Sequence, residues 1–96
     1  MPIIKNMPTE NQYEELISEV IEKQSIILGP DIAILKARNV SELVIDDQGK
    51  VTEIKGDKKA ALQKIINVYV ELSGMIVKNA LGSIFEKYPG VEKINL

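Results

Sequence analysis

The sequence predicts a small α+β domain, mainly helical, in the order helix, short helix after a Gly-Pro break, two-stranded β-hairpin and long C-terminal helix. An intertwined helical dimer completes the expectation. Three observations carry it. Apolar residues recur at three- and four-residue spacing near both ends of the chain. Between those stretches, two short β-branched runs flank Asp46, Asp47, Gln48 and Gly49, the residue types of a tight turn. The last helical stretch carries more apolar surface than the preceding elements cover.

With 96 residues, 45% of them hydrophobic, one core is feasible without disulfides or metals. The expectation is a single domain over residues 1–96, with 1–8 a flexible N-terminus and 89–96 a C-terminal tail. The first helix starts in "MPTENQYEE", where Thr9 is placed to cap the amide of Gln12, Gln12 to reach back, and Pro8 precedes them. Tyr13, Leu16, Ile17, Val20, Ile21, Ile27 and Leu28 then mark its core face. Glu14, Glu15, Glu19, Glu22 and Lys23 mark the solvent face.

At "LGPD", Pro30 has no amide for the carbonyl of Ile26 and biases Gly29 away from helical angles. A break or a sharp kink follows. The same residues start a second helix, with Gly29 as cap, Pro30 at the first position and Asp31 against the positive end of the dipole. That helix runs to about Asn39, whose tolerance of left-handed angles suits an ending. In the hairpin, Leu43 and Ile45 alternate with Glu42 and Val44 and are answered by Val51 to Lys55, so one side lies on helices.

Asp57 caps the last helix, which runs from Lys58 to "EKYPG", where Pro89 and Gly90 stop it. About thirty residues at ~1.5 Å each would span roughly 45 Å, more than the ~30 Å of a domain this size. Either the helix bends near Leu72 to Gly74, or its end projects onto a second subunit. Its apolar residues cover more than one face, which favours a homodimer with Ile65, Tyr69, Leu72, Met75, Ile76, Ala80, Ile84 and Phe85 at the seam. "LGPDIAILKA" and "LSGMIVKNAL" both set a glycine before an aliphatic run and a lysine, which makes Gly29 and Gly74 candidates for close helix approach, unless the echo is chance.

The chain has neither histidine nor cysteine. That removes the commonest general base, the imidazole and thiolate metal ligands, and disulfides. No catalytic, cofactor-binding or metal-ligating residues are expected, and the chain does not read as an enzyme. Setting Gly49 at the invariant glycine of a calcium loop puts Val44 and Lys55 at ligand positions, so that pattern fails. Asp46 and Asp47 read as hydrated turn carboxylates of ordinary proton affinity. Ser25 and Ser73 read as small residues at packed helix surfaces, Lys36 and Lys78 as lysines that snorkel to water, and Tyr88 as a helix-end packing residue.

A net charge of −2 with interspersed acids and bases disfavours nucleic acid. No apolar leader opens the sequence, and no stretch is apolar enough for a membrane span, so a cytoplasmic location is expected. The Ile-, Lys- and Glu-rich composition hints at a thermophilic source.

Together, "ILGPDIAILKA", the "DDQGKV" hairpin and "YVELSGMIVKNAL" followed by "FEKYPG" resemble small archaeal regulatory or output-type domains of helix-hairpin-helix layout. The resemblance covers most of the chain, rests on structural glycines and aliphatics, and carries no functional residues across. It implies protein association or signal output. The expectation is a small non-enzymatic interaction or signal-output domain acting as a homodimer, partnered by itself and by another protein. Two alternatives stand beside it. One is a winged-helix-like DNA-binding regulator, with the hairpin as wing but a mostly apolar "PDIAILKARN" as recognition segment. The other is a carrier of a small apolar ligand between the helices.

Overall fold

The computed structural model describes the backbone of residues 12–88, and their side chains apart from those of 75–80. Four helices and a hairpin follow in order: α1 Gln12–Leu28, α2 Pro30–Ala37, β1 Leu43–Ile45, β2 Val51–Ile54, α3 Lys58–Ser73 and α4 Met75–Glu86. This is the mainly helical α+β layout that the sequence predicts. The cap at Thr9, the preceding Pro8, the N-terminus over 1–8, the stop at Pro89 and Gly90, and the tail over 89–96 lie outside the described residues.

Helix α1 buries Leu16, Ile17, Val20, Ile21 and Gln24, with Tyr13 and Leu28 packed at the margin. Ile27, expected inside, is exposed: around the helix it falls between buried Leu16 and Val20, but it lies in the last turn of α1, past Gln24, the last residue of the helix that is buried. Gln24 is fully covered because its carbonyl oxygen accepts the hydroxyl of Ser73 at 2.8 Å.

The Gly-Pro pair is a break. Gly29 takes φ 90 and ψ 144, a region that residues with a Cβ avoid. Its amide closes α1 on the carbonyl of Ser25 at 2.9 Å, while its own carbonyl opens α2 by accepting from Ala33 at 3.0 Å. Both helices therefore end on satisfied backbone groups at one residue. An added Cβ at Gly29 would meet nothing within 4 Å, so its role is conformational, not the close helix approach expected from sequence. Helix α2 stops at Ala37, two residues before Asn39. Tightened turns carry the chain on, with Asn39 donating to Lys36 and Val40 to Ala37 at 3.1 Å each. Among the described residues only glycines have positive φ, so the expected left-handed exit at Asn39 does not occur.

Strands β1 and β2 pair antiparallel, Leu43 with Ile54 and Val44 with Glu53, and then shift so that Ile45 faces Val51. The shift places one extra residue, Thr52, on β2. In a regular strand, Val51 and Ile54 would point to opposite faces; the bulge turns both inward, and both are buried. The hairpin is fastened to α1 where the Val51 amide donates to Ser18 Oγ at 2.9 Å. Its turn is fastened to α2: Gly49 is buried, and a Cβ there would lie 3.1 Å from Ile34 Cγ1. Gly49 is thus the glycine that permits close approach.

Asp57 caps α3, its carboxylate accepting the Lys59 amide at 3.1 Å. The helical C-terminal segment does not run straight. Gly74, at φ 56 and ψ −122, ends α3 by donating to the Val70 carbonyl at 2.8 Å and begins α4. Of the two ways to accommodate the excess length, the bend near Leu72 to Gly74 is the one adopted. Gly74 also departs from its expected packing role, its added Cβ meeting no more than the Val70 carbonyl at 4.0 Å. Helix α4 packs on α1 and α3. Leu62, Ile65, Ile66, Tyr69, Leu81, Ile84 and Phe85 thereby join the core.

Candidate interaction surface

Helix α2 is short and apolar nearly all round, so packing decides which side turns inward. Ala33 and Ala37, four residues apart, are fully buried. Their small side chains let α3 approach closely enough for Tyr69 to donate its hydroxyl to the Ala33 carbonyl at 2.7 Å. That phenol sits in the core, and burial pushes its pKa well above the ordinary 10.0. Arg38 holds the other end, donating to the carbonyls of Ile45 at 3.4 Å and Asp46 at 3.1 Å, with Asp47 Oδ1 at 3.7 Å. Helix α2 is therefore clamped to α3 on one side and to the hairpin turn on the other.

What remains outward is unusually apolar. Ile26 is 75% exposed, Leu35 59%, Ile32 44%, Leu72 42% and Ile27 39%. These residues come from the end of α1, the outer face of α2 and the end of α3. Two bonds bring those ends together: Gln24 to Ser73, beside Leu72, and Tyr69 to Ala33, beside Ile32. The outer face of α2 is bounded by Asp31 and Lys36, which form no ion pair with another described residue.

The residues expected at a dimer seam divide into three groups. Ile65, Tyr69, Ile84 and Phe85 are buried in the chain's own core, because the break at Gly74 folds α4 back onto α1 and α3. Leu72 is exposed. The side chains of Met75, Ile76 and Ala80 lie outside those described, as does that of Lys78. The exposed isoleucines of α1 and α2 and Leu35 were not among the expected seam residues. The available signal was the Ala33, Ala37 spacing, which marks the inward side of α2 and leaves Ile32 and Leu35 on the other.

One cleft is largely polar in its lining. Of about 390 Å³, it lies between α1 and β2 and is lined by Glu14, Glu15, Ser18, Lys50, Val51, Thr52 and Tyr88. Ser18 is engaged in structure, donating to the Glu14 carbonyl at 2.7 Å and accepting from Val51. Tyr88 donates to Glu19 Oε1 at 3.1 Å; burial, and then the charge of Glu19, push its pKa up to about 12. Glu19 also meets Lys87 at 3.3 Å, so these two bonds tie the end of α4 to α1.

Asp46 departs from the ordinary proton affinity expected of it. Its carboxylate accepts the amides of Lys50 and Gln48, each at 2.9 Å, and these bonds hold its pKa below the usual value. Glu42 is lowered as well, chiefly by its hydrogen bond to Lys64. Ser25 donates to the Ile21 carbonyl at 2.9 Å within its own helix. No cluster of three or more potential metal ligands occurs among the described residues, and no helix there is long and apolar enough to cross a membrane.

No family model matches the chain, and the searches of curated proteins and of solved structures returned no match.

Proposed function

We propose that the chain is a non-enzymatic association domain of a regulatory or signal-output kind, working as a homodimer and meeting another protein through the assembled pair. The observation that carries this reading is the outward apolar surface of Ile26, Ile27, Ile32, Leu35 and Leu72. Isolated exposed aliphatics are ordinary, but five on the ends of α1 and α3 and the outer face of α2 are a large apolar exposure for a domain this small, and apolar exposure of that kind marks interfaces. The absence of histidine and cysteine from the sequence points the same way, since it leaves few groups for acid-base or nucleophilic work.

Rigidity supports the reading too. A surface held on two sides by Tyr69 and Arg38 meets a partner with little ordering entropy to lose. Sedimentation velocity over a concentration series tests it. A dimer at micromolar concentration is the expected result, and a monomer throughout overturns the proposal.

A further inference from the structure

We propose that the homodimer forms by exchange of α4: the joint at Gly74 straightens, α3 and α4 become one helix, and each α4 packs on α1 and α3 of the other copy. This rests on the homodimer reading and names how the copies join. Gly74 alone separates the two helices and carries the whole turn, at φ 56 and ψ −122. A joint that short has no slack, and short hinges invite exchange of the element beyond them.

Backbone bonding favours the straight form. Gly74 already donates to the Val70 carbonyl at 2.8 Å, the bond it would make in the middle of a helix. At the turn, the carbonyls of Glu71, Leu72 and Ser73 and the amides of Met75, Ile76 and Val77 have no partner within either helix. Straightening pairs these carbonyls with these amides. No side chain is wedged into the turn to hold it, since an added Cβ at Gly74 would meet no more than the Val70 carbonyl at 4.0 Å.

What α4 leaves on its own chain it finds again on a second copy. Leu81, Ile84 and Phe85 are buried where α4 packs on α1 and α3, and just past its end Lys87 and Tyr88 meet Glu19 of α1 at 3.3 Å and 3.1 Å. An identical chain offers the same seat and the same carboxylate, so the exchange keeps the core and adds backbone bonds. Its cost is the entropy of association, which concentration offsets.

The exchange also closes as a pair. Helix α1 packs on both α3 and α4, so the body of the fold fills the angle between them. A twofold axis beside Gly74, along the bisector of the two helix directions, turns each direction into the other. The straightened α4 of each copy then runs into the place vacated by the other's, and the two bodies occupy opposite angles of the crossing. Gly74 stands at that crossing, where the lack of a side chain lets two long helices pass closely.

The joint and the seat of α4 can be tested separately. Gly74→Ala penalises the turn and favours the continuous helix, so it should tighten self-association by at least about tenfold. Inserting Gly-Ser-Gly after Gly74 gives the joint slack and interrupts the continuous helix, so it should yield a monomer with an unchanged circular dichroism spectrum. The sequence has no cysteine, so single thiols can mark the seat. Glu19→Cys and Tyr88→Cys chains, refolded together from urea and treated with a short bis-maleimide, should give a covalent pair that neither variant gives alone. A parent that is monomeric throughout a micromolar concentration series overturns the homodimer reading and the exchange together. A parent dimer that is indifferent to the insertion, or whose mixed variants give no covalent pair, joins through another surface, and the exchange alone is overturned. A Gly74→Ala chain that associates no more tightly than the parent overturns it as well.

Discussion

The glycines of this chain separate two demands that sequence alone merges. At Gly29 the backbone takes an angle that a side chain resists, but the space beside it is open. At Gly49 the angle is similar, φ 88, and Ile34 closes the space as well. Gly29→Ala should therefore destabilise by about 1–2 kcal/mol, the strain alone. Gly49→Ala should destabilise by about 2–4 kcal/mol, strain and overpacking together. Urea unfolding of the two variants would check the order. Equal losses would mean that Ile34 yields freely and that the hairpin turn is not wedged under α2. A comparable contrast holds for Gln24 and Ser73. Removing the hydroxyl with Ser73→Ala strands a buried carbonyl, for an expected loss of about 1–3 kcal/mol by the same measurement.

Among the elements, the hairpin is the one whose stability should follow acidity. Asp46 and Glu42 both have pKa values lowered in the folded chain, Asp46 by amide bonds within the turn and Glu42 mainly by Lys64. A lowered folded value means that the ionised carboxylate stabilises the fold. That contribution is complete above the ordinary values of 3.8 and 4.5 and is lost as the pH falls through the lowered ones. Thermal melts between pH 6 and pH 3 should show a progressive fall in the midpoint, and Asp46→Asn should flatten part of it. Asp46 is exposed, and Glu42 is half-buried against the exposed Lys64, so salt should shrink the share that comes from Lys64 more than the share from backbone amides. An acid dependence untouched by Asp46→Asn would place the controlling carboxylate outside the turn.

At the scale of the molecule, the parts legible in the sequence were those settled locally. The stripe through Leu16, Ile17, Val20 and Ile21, the cap at Asp57 and the turn at Asp46 to Gly49 depend on neighbours a few residues away. What sequence did not show depends on distant partners. Gln24 is buried because Ser73 lies opposite, and Val51 and Ile54 share a face because of a bulge. The surface followed the same rule. A nearly all-apolar α2 has no legible inside until Tyr69 and α3 claim Ala33 and Ala37, and that choice is what exposes Ile32 and Leu35. The excess of apolar residues pointed to a seam on the last helix. Gly74 folds that helix onto the core, which buries Leu81, Ile84 and Phe85, and among the residues whose side chains are described the exposed large aliphatics sit on α1, α2 and the end of α3.

The seating of Gly49 beneath Ile34 also bears on where the chain tolerates foreign sequence. Hairpin tips are ordinarily good places to splice in a tag or an epitope, because they project into water. Here the tip is a plug, and a short Gly-Ser peptide spliced between Gln48 and Gly49 should lower the melting temperature sharply. The same peptide between Gly56 and Asp57, where nothing crowds the glycine, should leave it nearly unchanged.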